Sequence, residues 1–355
     1  MRARTCVFIL ICFLVIQSHG FAQHHSSHES DHMDSANSST HHHSLRPDEY
    51  PPVGVMGGHT HHKGGWMMSY RMMYMSMDGN RSGTNDLSTA DVLQDFMVTP
   101  TDMDVWMHMF GLMYAPTDNL TVMGMIPYAS KSMNHVTRMG GSFSTKTDGI
   151  GDIKLSALYK IFENNGHQFH INAGISFPTG DTDERDDLPT GPNQPLPYPM
   201  QLGSGTFDLM PGLAYLGQHH MWSWGAQVLG VIRLGENDED YTLGNVLSST
   251  VWGSRNINNW ISTATRLNWK IWGNINGADP RLNPAVVPTA DPDRRAGNRL
   301  DLLFSLNFLI PKGPQLIKGQ SLAVEFGLPV YQWLDGPQLE TDWLVTFGWR
   351  YDWEF

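Results

Sequence analysis

Cysteine is nearly missing from this chain: Cys6 and Cys12 are the only two in 355 residues. Both sit in an early apolar run, Cys6 to Ile16, preceded by Arg2 and Arg4 and followed by Gly20-Phe21-Ala22. That layout predicts an export signal at residues 1–22, cleaved after Ala22. The run is too short to span a bilayer, and a polar segment follows at once, which disfavours an uncleaved anchor. Cys12 is embedded among apolar residues, which disfavours lipid attachment. A mature chain without thiols excludes disulfides, thiolate metal sites and cysteine catalysis. Basic residues are scarce too, 23 against 35 acids, for a net charge of -12. Loss of Arg2 and Arg4 moves this to -14. An acidic balance argues against nucleic acid as a partner. Beyond the signal no window approaches the ~20 continuous apolar residues of a membrane helix. No Gly-x-Ser-x-Gly elbow, His-Glu-x-x-His helix or Walker loop is present, so no catalytic residue is assigned and no enzyme is expected.

What the chain does have is alternation. Phe169, Ile171, Ala173, Ile175 and Phe177 alternate with Gln168, His170, Asn172, Gly174 and Ser176. Leu300, Leu302, Phe304, Leu306, Phe308 and Ile310 do the same, as do Trp343, Val345, Phe347, Trp349, Tyr351, Trp353 and Phe355. Period two is the signature of strands with one apolar and one polar face. Twelve such segments are expected, near 65–77, 105–115, 119–128, 150–162, 167–178, 206–216, 221–234, 241–252, 260–273, 297–310, 321–331 and 343–355. Each suits a tilted membrane strand. Gly and Pro recur too often for long helices. If the chain crosses a membrane it must do so as a closed barrel, because only helices and closed barrels satisfy the backbone in lipid.

The connections alternate as well. Long ones are expected at 78–104, 129–149, 179–205 and 274–296. Short ones follow at Pro116-Thr117-Asp118, Glu163-Asn164-Asn165-Gly166 and Gly217-Gln218-His219-His220. Long outer loops and short periplasmic turns characterise outer-membrane barrels. The fold class is therefore all-β, an antiparallel transmembrane barrel of about twelve strands over 64–355, with both ends in the periplasm of a Gram-negative bacterium. The final Phe355 is similar to the closing residue of such barrels, which implies recognition by the barrel-assembly machinery. Outer-membrane lipids are the expected surroundings, with Trp222, Trp224, Trp343, Trp349, Tyr351 and Trp353 as interfacial girdles.

Three glycine-rich stretches carry a family resemblance: Gly149-Ile150-Gly151-Asp152-Ile153-Lys154-Leu155-Ser156, Gly174-Ile175-Ser176-Phe177-Pro178-Thr179-Gly180, and Gln201-Leu202-Gly203-Ser204-Gly205-Thr206 with Pro211-Gly212-Leu213. Over roughly its middle third the chain resembles the outer-membrane barrel family named after the meta-pathway of phenol degradation. The resemblance implies a barrel and the passage of small molecules, and supplies no catalytic residue.

Two features depart from that family. Residues 23–63 are low in complexity and rich in histidine, and are expected to be a disordered periplasmic segment. Its His24, His25, His28, His32, His41, His42, His43, His59, His61 and His62 are candidate metal ligands. Sixteen of the 21 methionines lie between Met56 and Met139. Arg71 belongs in the lumen, since a charge facing lipid costs ~2–4 kcal/mol near mid-bilayer. Its parity turns Met67, Met73 and Met75 inward. Parity on the next two strands turns Met107, Met109, Met113, Met123 and Met125 inward, with His108 left awkwardly on the outer face. Thioethers suit Cu(I) and Ag(I), and imidazoles suit Cu(II) among others. No resident cofactor is expected; the expectation is an outer-membrane channel handling copper or another soft metal. The alternatives are an uptake channel for small hydrophobic or aromatic compounds, and a metal-buffering barrel anchored at the surface. Plain packing also explains a methionine wall. Asp181, Asp183, Glu184, Asp186 and Asp187 read as a charged outer loop rather than a calcium site.

Overall fold

In a computed structural model, residues 46–310 and 319–354 are described. Eleven strand elements form the wall: β1 (Gly65–Gly83), β2 (Val98–Thr117), β3 (Leu120–Thr137), β4 (Ile153–Asn164), β5 (His167–Phe177), β6 (Phe207–His219), β7 (Trp222–Leu234), β8 (Val246–Asn256), β9 (Ile261–Trp272), β10 (Gly297–Leu309) and β11 (Ser321–Glu354). Each pairs antiparallel with its chain neighbour, and β11 closes the ring on β1.

The 34-residue β11 folds on itself. Residues 321–334 pair with β10 and residues 338–354 pair with β1. The two limbs lie side by side. The Phe326 and Trp343 rings are 6.1 Å apart, and Arg350 Nε donates to Ser321 Oγ at 3.1 Å. With this hairpin counted as two staves the ring has twelve, in line with the alternation. Expected segments and observed strands coincide around the barrel.

Side-chain parity is that of a membrane barrel. Phe110 is 55% exposed and Phe304 53% on the outer face, while inward Glu325 is fully buried. Water-soluble cores have the reverse arrangement. Aromatic clusters mark two levels of the wall. Trp66 packs on Tyr114 and Trp353; eight residues along β1, Tyr74 packs on Trp106 and Trp343. That spacing is roughly 20–27 Å, depending on tilt, and matches the apolar band of outer-membrane barrels. His108 does face outward, and the Tyr70 hydroxyl 2.7 Å from its Nδ1 satisfies the ring there. Among the described residues no helix is long and apolar enough to cross a membrane.

The structure differs from expectation in three places. The first three wall strands run 18–20 residues, well past the apolar band. Their tips need no greasy outer face, so alternation of hydrophobicity ended before the strands did. Residues 129–149, expected as a loop, are the end of β3 and a strand at Ser142–Ile150 that pairs back on it. Residues 46–63, expected to belong to the disordered tail, pack inside the barrel. The sequence there is low in complexity, but it carries Val53, Val55 and Met56 and is bonded by the polar inner wall. Residues 1–45, with the signal and His24, His25, His28, His32, His41, His42 and His43, lie outside the described residues, as does Phe355.

Candidate functional site

The lumen is closed from both ends by the chain itself. At the short-turn end, residues 46–64 fold back inside the wall. Their carbonyls are the anchor points. Pro47 O accepts from Ser262 Oγ at 2.8 Å and Asp48 O from Ser223 Oγ at 2.9 Å. Gly57 O accepts from Asn172 Nδ2 at 2.9 Å and Gln227 Nε2 at 3.1 Å, and lies 3.0 Å from His170 Nε2, which must carry the proton there. The inward polar face of the strands thus satisfies backbone that would otherwise be buried without partners. Tyr50 stacks under the Arg350 guanidinium at 4.5 Å.

Two glycines make this plug fit. Gly57 has φ +60°, a conformation that side chains disfavour. At Gly54 a Cβ would come within 2.3 Å of both Arg266 Nη2 and Glu325 Oε1. Those two form a buried, two-pronged ion pair, with contacts of 2.5 and 3.1 Å. Ser305 Oγ donates to the same carboxylate at 2.7 Å.

At the opposite end the 178–206 connection turns inward. Leu196 and Met200 are fully buried against Met103, Val105, Met133 and Leu339 of the wall. Lys131 Nζ donates to Pro199 O and Gln201 O. Tyr198 packs on Tyr241 at 4.9 Å, and its hydroxyl accepts from Asp279 N. Asp183 is held by Arg185 and Arg281, so its charge is paired with arginine.

Between plug and lid lies a cavity of about 560 Å³. One wall is thioether and aliphatic: Met73, Met75, Met77, Met103, Met107 and Met133, with Val105 and Leu344. The β9–β10 stretch of the chain adds the cations Arg266, Lys270, Arg295 and Arg299, while Arg71 and Lys131 sit beside Met73 and Met133 on β1 and β3. Among the described residues Asp301 is the only carboxylate of the lining, and Arg299 Nε holds it at 2.9 Å. Arg71, Lys270 and Arg295 have no carboxylate within ion-pairing distance among the described residues. Lys270 lies over the Trp272 ring at 5.5 Å. Arg71 Nε and Arg295 Nη1 are buried without a hydrogen-bond partner. Burial lowers the Arg295 pKa to about 10, so it stays charged at neutral pH.

All eight methionines expected to face the lumen do line it. Met67, Met109, Met113, Met123 and Met125 surround a void of about 10 Å³, closed by Ser69, Arg71 and Gly111. Met73, Met75, Met107 and again Met109 face the main cavity. Met103 and Met133 were missed because they sit on strand tips where hydrophobic alternation had lapsed. The cationic lining was missed apart from Arg71, although Ala264, Arg266, Asn268 and Lys270 share one parity along β9 and so could be found. His59 is buried in the plug, 5.0 Å from the His61 ring, and His62 Nδ1 lies 3.7 Å from Asp118. Among the described residues no three His, Cys, Asp or Glu side chains converge to suit a metal ion.

Comparison with known proteins agrees with this architecture. The family described as "Putative MetA-pathway of phenol degradation" matches residues 78–278. An outer membrane channel from Pseudomonas putida F1 superposes with a TM-score of 0.59 at 13% identity, covering 86% of this chain and 100% of that one. The P. putida toluene transporter TodX gives 0.40 at 11% identity, over 82% of this chain and 90% of that one. The Ralstonia pickettii toluene transporter TbuX gives 0.40 at 11%, over 87% and 93%. No curated protein matches. At these identities the first superposition speaks for the barrel fold alone, and the other two are too loose to carry an argument. A match over more than half of the chain, on a closed barrel with a greasy outer belt, makes this protein a member of the phenol-degradation MetA-pathway family of outer-membrane-type barrels.

Proposed function

We propose that this chain is an outer-membrane channel for small organic solutes with an apolar or aromatic body. The observation that carries the reading is the cavity of about 560 Å³ between plug and lid. It falls in the size range of small-molecule sites, and its methionine wall offers soft, adaptable contact to a ring or short chain. Membership of a family described by phenol degradation supports the same solute class. The short-turn end, with the plug, would face the periplasm, and no residue has a catalytic role. The test is flux of phenol and of glucose through the purified barrel in liposomes. Phenol is expected to cross faster than through protein-free vesicles, and glucose is not. Equal phenol flux with and without protein overturns the reading.

A second reading is favoured by one observation: five thioethers converge on a single small void. Such a nest suits Ag(I) or Cu(I), with the histidine-rich residues 23–63 as a capture segment. Leucine at Met109, Met113 and Met123 should abolish stoichiometric Ag(I) binding by the barrel with residues 23–63 removed. Binding that survives this change, or is absent beforehand, excludes the nest.

A further inference from the structure

The geometry points to a solute that carries a negative charge: the cavity between plug and lid is an amphipathic binding site for small aromatic or aliphatic acids in their anionic form. This rests on the organic-solute reading and narrows it. The chain as a whole is acidic, at -12, yet the described residues line its cavity with six cations and one carboxylate. That inversion is local and does not follow from composition. Arg299 takes the carboxylate, and Glu325 takes Arg266. Arg71, Lys270 and Arg295 remain without a counter-ion among the described residues. Arg71 is only 8% exposed and its Nε has no partner.

Removing a cation from water without pairing it costs several kcal/mol. Arg71 bears that cost most fully, while Lys270 and Arg295 are half-buried and keep part of their hydration; a barrel that needed only a wet lumen would gain nothing from turning all three on one cavity. An anion bound there supplies the missing acceptors, and hydrogen bonds between charged partners are the strong ones. Met73, Met75 and Met107 line the same space, so the body of the solute meets thioethers while its carboxylate or phenolate meets guanidinium. A bare metal cation would meet six like charges in this cavity, against Arg71 alone at the five-methionine nest.

Three probes of one size decide the matter: benzoate, benzyl alcohol and benzylammonium. Binding is measured by calorimetry on the detergent-solubilised full chain, and flux in liposomes. Benzoate should bind most tightly and benzylammonium least. Lys270→Gln and Arg295→Gln should each weaken benzoate by about tenfold or more, from the strength of a charged hydrogen bond. Benzyl alcohol, whose neutral hydroxyl accepts only an ordinary hydrogen bond, should lose far less than benzoate in both. Heat-dependent electrophoretic mobility provides an independent check on folding. Absence of saturable benzoate binding, or equal affinity for all three probes, overturns the inference. Benzoate binding with this order but no flux of any probe sinks the channel and leaves the anion site standing. Flux of all three at one rate, with no charge preference in binding, does the reverse.

Discussion

Single residues decide whether the plug can sit where it does. Gly54 meets the Arg266–Glu325 pair so closely that no side chain fits. The pair cannot move aside, because Ser305 and the two-pronged geometry fix the carboxylate. Gly54→Leu should therefore loosen the plug without opening the wall, at a cost of about 1–3 kcal/mol for overpacking. Limited proteolysis of the folded barrel reads this directly: cleavage within 46–64 should speed up while the remaining core keeps its mobility. Unchanged protection would mean that the plug is not seated on the ion pair. None of this could be read from sequence, where Gly54 is one of 35 glycines. Arg71 was readable, because only the lumen tolerates its charge. The parity it imposes located the inward methionines of β1, and the same reasoning applied to Arg266 would have located the basic lining.

At the scale of elements, strands were readable wherever the outer face meets lipid, since a greasy belt imposes period two on the sequence. Tips, lid and plug answer to no such rule. Their positions depend on partners far away in the chain, such as Gln227 bonding Met56 O and Ser262 bonding Pro47 O. The plug also carries a buried histidine with a pH consequence. Burial, then the neighbouring His61, Arg350, Arg71 and His170, push the His59 pKa well below its ordinary value. The docked plug keeps His59 neutral, whereas a released plug takes up a proton near pH 6.5. Docking is therefore strongest above that pH and weakens as pH falls through it, by up to about tenfold per unit. Proteolytic release of 46–64 should rise between pH 7 and pH 5. His59→Gln should flatten the profile, and a pH response that survives this substitution would assign it to another group.

The whole molecule places two closures in series around one cavity. The plug is held by hydrogen bonds with the inner faces of β3, β5, β7 and β9. The lid is held by an apolar cluster on β2, β3 and β11 together with Lys131. The two share no hydrogen bond or cluster residue among those named, so each should open without requiring the other. Resistances in series add, and the larger one sets the current. Removing residues 46–63 alone leaves the lid limiting; replacing 183–199 with a short Gly-Ser linker alone leaves the plug limiting. Each single change should raise single-channel conductance only slightly, while the double change should raise it by far more than the sum of the two. Full conductance after plug removal alone would show that the lid is open to ions as it stands. The cavity would then be a vestibule facing outside, with the plug its only floor, and solute selection would rest on the cationic lining without a second gate.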